Sequence, residues 1–302
     1  MSENSGTGTD YIAGYSVAKE SVLRAIPRQY INSARENFHI AYQHTSHGTH
    51  VPCGLNGLQR YKSGDENLFA VTFNGTSVPG ELDFEDYALA SYHAAGVDAS
   101  DLSRNETAFI QATRNFLDAS ANADINIVMW SWCSIVGHDV SGNYLPGMQT
   151  LIDEYGVGGS KPRASVTPVT FIFMTGHAQI NNNGSGRPKD QADLINDYCE
   201  SHHYYCLDYY SIESHDYADD AYYYDCTDDS VSTLYDNNHP TGAYNQAYQD
   251  SHAESTDCFY NYTPGNNNTP YFGDHLTQHI TSNRKAYAFW WILAREAGWD
   301  GQ

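Results

Sequence analysis

His44, Thr45, Ser46, His47 and Gly48 form the densest set of chemically capable side chains in the sequence. They end a short apolar run that starts at Phe38, and they precede a segment that reads as a helix through Leu55 and Leu58. A hydroxyl held between imidazoles at a strand-to-helix junction suits a nucleophile, because the junction exposes the side chain and aims backbone N–H groups at developing negative charge. The same residues also read as a simple polar turn. If Ser46 attacks an acyl carbonyl, it needs a base for its proton, an acid to orient that base, and donors for the oxyanion.

Further candidates lie where other strand patterns end. Residues 125–130 lead into Ser131, Trp132, Cys133 and Ser134, residues 166–174 deliver Thr175, Gly176 and His177, and residues 204–209 carry Asp208. His44, His47 and His50, joined by His177 or Asp208, make a candidate metal set that would activate water without Ser46. A spacing of three aligns side chains on a helix, however, and His44 belongs to the strand end. Trp130, Trp132, Tyr209, Tyr210 and the run Tyr222, Tyr223 and Tyr224 are either stacking surfaces for sugar rings or packing residues.

The elements that must position these groups alternate between two periods. Residues 16–35 read as helical, residues 68–73 as a short strand, and residues 78–101 as an acidic loop with Asp83, Glu85 and Asp86. Ser103 and Glu106 are spaced as a capping box, after which Ala108, Phe109, Ala112, Phe116 and Leu117 recur at helix spacing. Leu145, Met148, Leu151, Ile152 and Tyr155 mark a second helix, and Ala192, Leu194, Ile195 and Tyr198 a third. Repeated strand–helix pairs predict an α/β fold: a three-layer α/β/α sandwich on a mainly parallel, flavodoxin-like sheet with its site at the strand C-termini. We expect a tail over residues 1–15 and one domain over 16–302, with an irregular insertion at 211–273 and a closing helix over 283–297.

Composition narrows the partners. The 302 residues hold 15 Lys and Arg against 37 Asp and Glu, a net charge of -22 that repels nucleic acid. The excess of Asp over Lys fits a salty or extracellular habitat, or simply an acidic surface. No apolar run reaches the ~20 residues that cross a bilayer. The N-terminus lacks the basic and apolar segments of a signal peptide. Six cysteines, none in a CxxC pair, and sequons at Asn74, Asn105, Asn183, Asn261 and Asn267 favour an extracellular or cell-surface glycoprotein, its signal segment absent from this sequence, with disulfides among the C-terminal cysteines. The carboxylates of 211–273 allow a structural calcium, and the histidines a catalytic divalent metal. The preferred reading requires no cofactor.

Four blocks together resemble a branch of the SGNH (GDSL-like) hydrolase superfamily: His44 to Gly48, Trp130 to Cys133, Met174 to His177, and the terminal helix with its Ala-Gly-Trp ending, residues 286–299. The resemblance covers residues 38–299 and implies a three-layer fold and acyl-ester hydrolysis, often on acetylated carbohydrate. It assigns Ser46 as nucleophile and Gly75 as a loose match to the backbone oxyanion donor. The usual oxyanion Asn is missing, since the matching strand ends in Trp130 to Cys133. The usual Asp-x-x-His is replaced by Asp274, His275 and His279, leaving either His as base, with His279 slightly preferred and Asp274 as its orienter. His177 and the N–H groups near Ser46 and His47 would receive the oxyanion, and Trp130, Trp132 and Tyr209 would hold a sugar. The alternatives are a noncatalytic glycan-binding or structural protein on this fold, and the metal-dependent hydrolase.

Overall fold

The computed structural model describes residues 10–73, 77–179, 183–218, 220, 222, 244–252, 258–276 and 278–302. In chain order these form β1 (Ile12–Ala13), α1 (Glu20–Ala25), α2 (Arg28–Asn37), β2 (His39–Gln43), α3 (His50–Leu58), α4 (Asp65–Leu68), β3 (Val71–Phe73) and β4 (Leu82–Asp86). There follow α5 (Ala108–Leu117), β5 (Ile127–Trp130), α6 (Leu145–Tyr155), β6 (Thr170–Met174), α7 (Pro188–His202), β7 (Cys206–Leu207), α8 (Tyr209–Ser214), α9 (Tyr244–Ser251) and α10 (His279–Glu296). The helix expected over 16–35 is two helices, because Pro27 has no N–H to donate and its ring excludes a continuous turn.

All strand pairings in the seven-stranded sheet are parallel, in the order β1-β7-β6-β5-β2-β4-β3. Both faces are covered, so β2, β5 and β6 are mostly apolar, yet their period of two still sorts side chains between two cores. Ile40, Tyr42, Ile127, Met129, Ile172 and Met174 pack with α1, α2, α3 and α10. Ala41, Val128, Trp130, Phe171 and Phe173 pack with α5, α6 and α7. This is a three-layer α/β/α sandwich. No described helix is long and apolar enough to cross a membrane.

Two expectations change at the sheet. The acidic loop over 78–101 contains β4, an interior strand between β3 and β2. Leu82 and Phe84 enter the core, while the residues that hid the strand are held by imidazoles: Asp83 lies 2.8 Å from His39 Nδ1 and Asp86 2.7 Å from His44 Nε2. The expected tail over 1–15 ends in β1, where Ile12 and Ala13 extend the sheet beside Cys206 and Leu207.

α10 closes one layer. Its residues from Ala286 to Ala294 are buried on every side, as suits a helix packed all round by protein. It touches α3 backbone to backbone, since a Cβ at Gly54 would sit 2.3 Å from Ser282 O and 3.1 Å from Ala286 Cβ. Gly54→Ala is therefore expected to destabilise the fold by about 1–3 kcal/mol in urea unfolding. If the helices stood farther apart, helix propensity alone would make the same change stabilising by up to ~1 kcal/mol.

Candidate functional site

The connection from β2 to β3 and β4 turns to one side, and the next crossover returns to β5 on the other. In such sheets the crevice lies outside the carboxyl ends of the two diverging strands, here β2 and β5. Gln43 secures this end of the sheet, donating to Ser100 O at 2.8 Å and accepting the Leu89 N–H at 3.0 Å. The buried His44 has Asp86 on Nε2 and Thr45 O 2.9 Å from Nδ1, while the Thr45 hydroxyl donates to Asp101.

Ser46 opens a 3₁₀ turn, Ser46–Thr49, closed by the Thr49 hydroxyl on Ser46 O at 2.7 Å. Only glycine fits two residues on: a Cβ at Gly48 would fall 2.2 Å from His44 Cβ and 2.6 Å from Ser131 Oγ. Ser46 is half-buried, and its hydroxyl has no hydrogen-bond partner among the described residues.

His47 lies between two other imidazoles. Its ring stacks on His177 at 3.9 Å and 13° and on His275 at 4.4 Å and 18°, with His50 edge-on at 6.1 Å. Cys133 Sγ approaches His47 Nδ1 at 3.6 Å. Burial pushes the His47 pKa far down, and the neighbouring His177, His50, His275 and Lys285 push it further. Burial also lowers His177. Neutral rings can stack as aromatics, which adjacent imidazolium ions would resist. Stacking also keeps ring lone pairs in near-parallel planes rather than converging on one ion. His275 reaches this position from a left-handed backbone with φ 64.

A fully buried ionic group underlies the stack. The Lys285 ammonium donates to Glu213 Oε1 and His50 Nδ1 and lies 3.9 Å from the centre of the Tyr209 ring. His50 Nε2 donates to Asp274 O at 2.7 Å, and Glu213 Oε2 accepts the Ala178 N–H at 2.9 Å. Burial lowers the Lys285 pKa to about 8 against the opposing pull of Glu213.

The fold thus brings His177 and His275 together on His47, the residue after Ser46, and leaves other candidates elsewhere. His279 is 3% exposed, packs on Phe272 and accepts the Asn261 N–H on Nδ1 at 3.1 Å. The Asp274 carboxylate accepts from the Tyr271 hydroxyl. Neither forms the expected base–orienter pair, because the turn before α10 directs them into its own packing. Gly75 lies outside the described residues. Trp130, Trp132 and Tyr209, expected against a sugar, are core residues: the two indoles donate to Thr113 Oγ1 and Met174 O, and Tyr209 lies beneath Lys285.

Of the metal candidates, His44 is held by Asp86, and His50 by Lys285 and Asp274 O. Asp208 caps α8, accepting from Thr175, Asn196 and the Ser211 N–H. Among the described residues no three His, Cys, Asp or Glu side chains are arranged to hold an ion. The expected disulfides are not formed among Cys53, Cys133, Cys199, Cys206 and Cys258. Cys199 and Cys206 are instead hydrogen-bonded thiols inside the core, and Cys226 lies outside the described residues. The sequon at Asn261 is in the core as well, its side chain joined to His279 O and Asn283.

Glu213 and Lys285 are the site residues the sequence reading missed, and Cys133 was named there without its place beside His47. Its position three residues past a strand end was the available signal. Glu213 and Lys285 sit in a segment read as irregular and at the front of an apolar helix. Compared with protein-family models, curated proteins and solved structures, the chain matches none.

Burial holds His47, His50 and His177 below the ordinary histidine range and His279 down at about 4. The unfolded chain takes up these protons near pH ~6.5 whereas the fold does not, so stability should fall as pH drops from there toward 4. The His279 share is on the order of 3 kcal/mol. Urea unfolding at pH 7 and 4.5 should show this loss, with a smaller slope in His279→Gln; equal slopes would contradict the neutral ring.

Proposed function

We propose that this chain is an SGNH-like hydrolase that cleaves an acyl ester through Ser46. The observation that carries this reading is the Ser46 hydroxyl, unbonded among the described residues, one residue from a neutral His47 stacked between His177 and His275 at the sheet's carboxyl end. The order β4-β2-β5-β6-β7 within the sheet equals 2-1-3-4-5, the flavodoxin-like arrangement, with β3 and β1 added outside it. Ser46 Oγ attacks the acyl carbon, and the imidazole of His275 takes its proton and returns it to the departing alkoxide. Water then attacks the acyl-serine by the same route in reverse. His275 is favoured over His279 because it faces the stack, whereas the His279 lone pair is already occupied. The turn N–H groups near Ser46 and His47 receive the oxyanion, since the His177 Nδ1 proton is already given to Ala178 O at 2.8 Å.

An acylated carbohydrate at the cell exterior is the substrate we favour. The loop carrying Cys133 continues into Gly137–Ser141, which with Asp190, Gln191 and Asp193 lines a cleft of about 680 Å³ that includes none of Ser46, His47, Cys133, His177 and His275 in its lining. Carboxylates and an amide suit sugar hydroxyls and repel anions. One distance favours a second reading: Cys133 Sγ lies 3.6 Å from His47 Nδ1, and a thiol there would carry the acyl group as a thioester.

Hydrolysis of 4-nitrophenyl acetate and of an acetylated oligosaccharide by the wild type, Ser46→Ala and Cys133→Ser tests both. The serine route expects kcat to fall at least ~10³-fold in S46A and to change only severalfold in C133S. The thiol route expects the reverse. Folded wild-type protein that turns over neither ester would overturn the hydrolase reading.

A further inference from the structure

His177 and His275 flank His47 from two unrelated turns, one after β6 and one before α10, and each turn is tied to the same buried cation. Lys285 bonds His50 Nδ1, and His50 Nε2 donates to the carbonyl of Asp274, the residue before His275. Lys285 also bonds Glu213 Oε1, and Glu213 Oε2 accepts the N–H of Ala178, the residue after His177. These side chains have zero exposure and sit on three different helices, α3, α8 and α10. Because Nε2 of His50 must donate, its Nδ1 must accept, and a lysine ammonium supplies that proton without competing for it. A methyl group at this place would leave both His50 Nδ1 and Glu213 Oε1 without that donor.

We propose that Lys285 is a positioning residue which, through His50 on one side and Glu213 on the other, sets the spacing of the two imidazoles around His47. Its catalytic consequence rests on the reading of Ser46 given above; its structural consequence does not. The groups facing Lys285 are Glu213 and Tyr209 on α8, His50 on α3, and His47 and His177 from the strand ends, with Arg284 beside it on α10. Of these, Glu213 is the one that favours its charged form, so deprotonating Lys285 or neutralising Glu213 should release both turns together.

The test uses the full chain, wild type and two variants. Lys285→Met keeps the length of the side chain without its charge, and Glu213→Gln keeps an acceptor for the Ala178 N–H. Nitrogen-resolved NMR of the histidine rings reads the brace without substrate. In K285M the His50 Nδ1 signal and the His177 and His275 rings should all shift. In E213Q, which removes the charge that holds Lys285, both rings should also shift. In the wild type raised from pH 7 to 9.5, the two rings should move together with one midpoint near 8, where Lys285 loses its proton. With 4-nitrophenyl acetate, K285M should lose ~10–100-fold in kcat with KM changed less than ~3-fold, as misplacement by about 1 Å would cause.

His177 and His275 signals that stay at their wild-type positions in folded K285M would overturn the inference. If that variant does not fold, an unmoved His177 in E213Q would do so. If neither variant folds, the wild-type titration decides, and separate midpoints or no movement would overturn it. A wild type with no esterase activity but coupled ring shifts would retire the hydrolase reading and leave the brace standing.

Discussion

A parallel sheet covered on both faces has only its two ends where polar side chains can meet solvent. That constraint organises this molecule. Between Ile40 and Met174 the central strands carry side chains that are almost all buried and apolar, sorted by the period of two into the two cores. Histidines, hydroxyls and the Cys133 thiol gather past the last residues of β2, β5 and β6, because those are the first positions beyond the sandwich. The divergence of the chain on either side of β2 then opens a crevice at that end, and the turn from Thr45 to Thr49 fills its rim.

Charge follows the same division. The chain has 15 Lys and Arg in all, and it places Arg284 and Lys285 at zero exposure in the first turns of α10. A buried charge without its partner costs roughly 3–5 kcal/mol, so Lys285 constrains Glu213 as firmly as Glu213 constrains Lys285. The polar front of α10 therefore links helices on one face of the sheet to turns at its end. Its apolar remainder, from Ala286 onward, anchors that front in the core.

Much of this architecture was legible from periodicity. The strands around Tyr42, Met129 and Ile172 and the helices around Phe116, Leu151 and Ile195 were long and regular enough to read. β4 was not, because Asp83, Glu85 and Asp86 look like solvent residues until His39 and His44 are seen beside two of them. Within the site, Ser46, His47, His177 and His275 could be named from local sequence because each follows a strand or precedes a helix. Glu213 and Lys285 could not, since their importance lies in contacts more than 70 residues apart in the chain, 213 to 285 and 50 to 285. The cysteines misled for the opposite reason. Their even number suggested cross-links, whereas Cys53, Cys199 and Cys206 are ordinary small apolar residues of the core.

The central claim is that the turn after β2 carries the reacting atom. Acid quenching of the wild-type protein during turnover of 4-nitrophenyl acetate, followed by peptide mass spectrometry, tests it most directly. The account expects the acetyl group on the peptide containing Ser46, as an ester that disappears as turnover ends. An acetyl group carried by Cys133 instead, or no acylated peptide during demonstrable turnover, would contradict it.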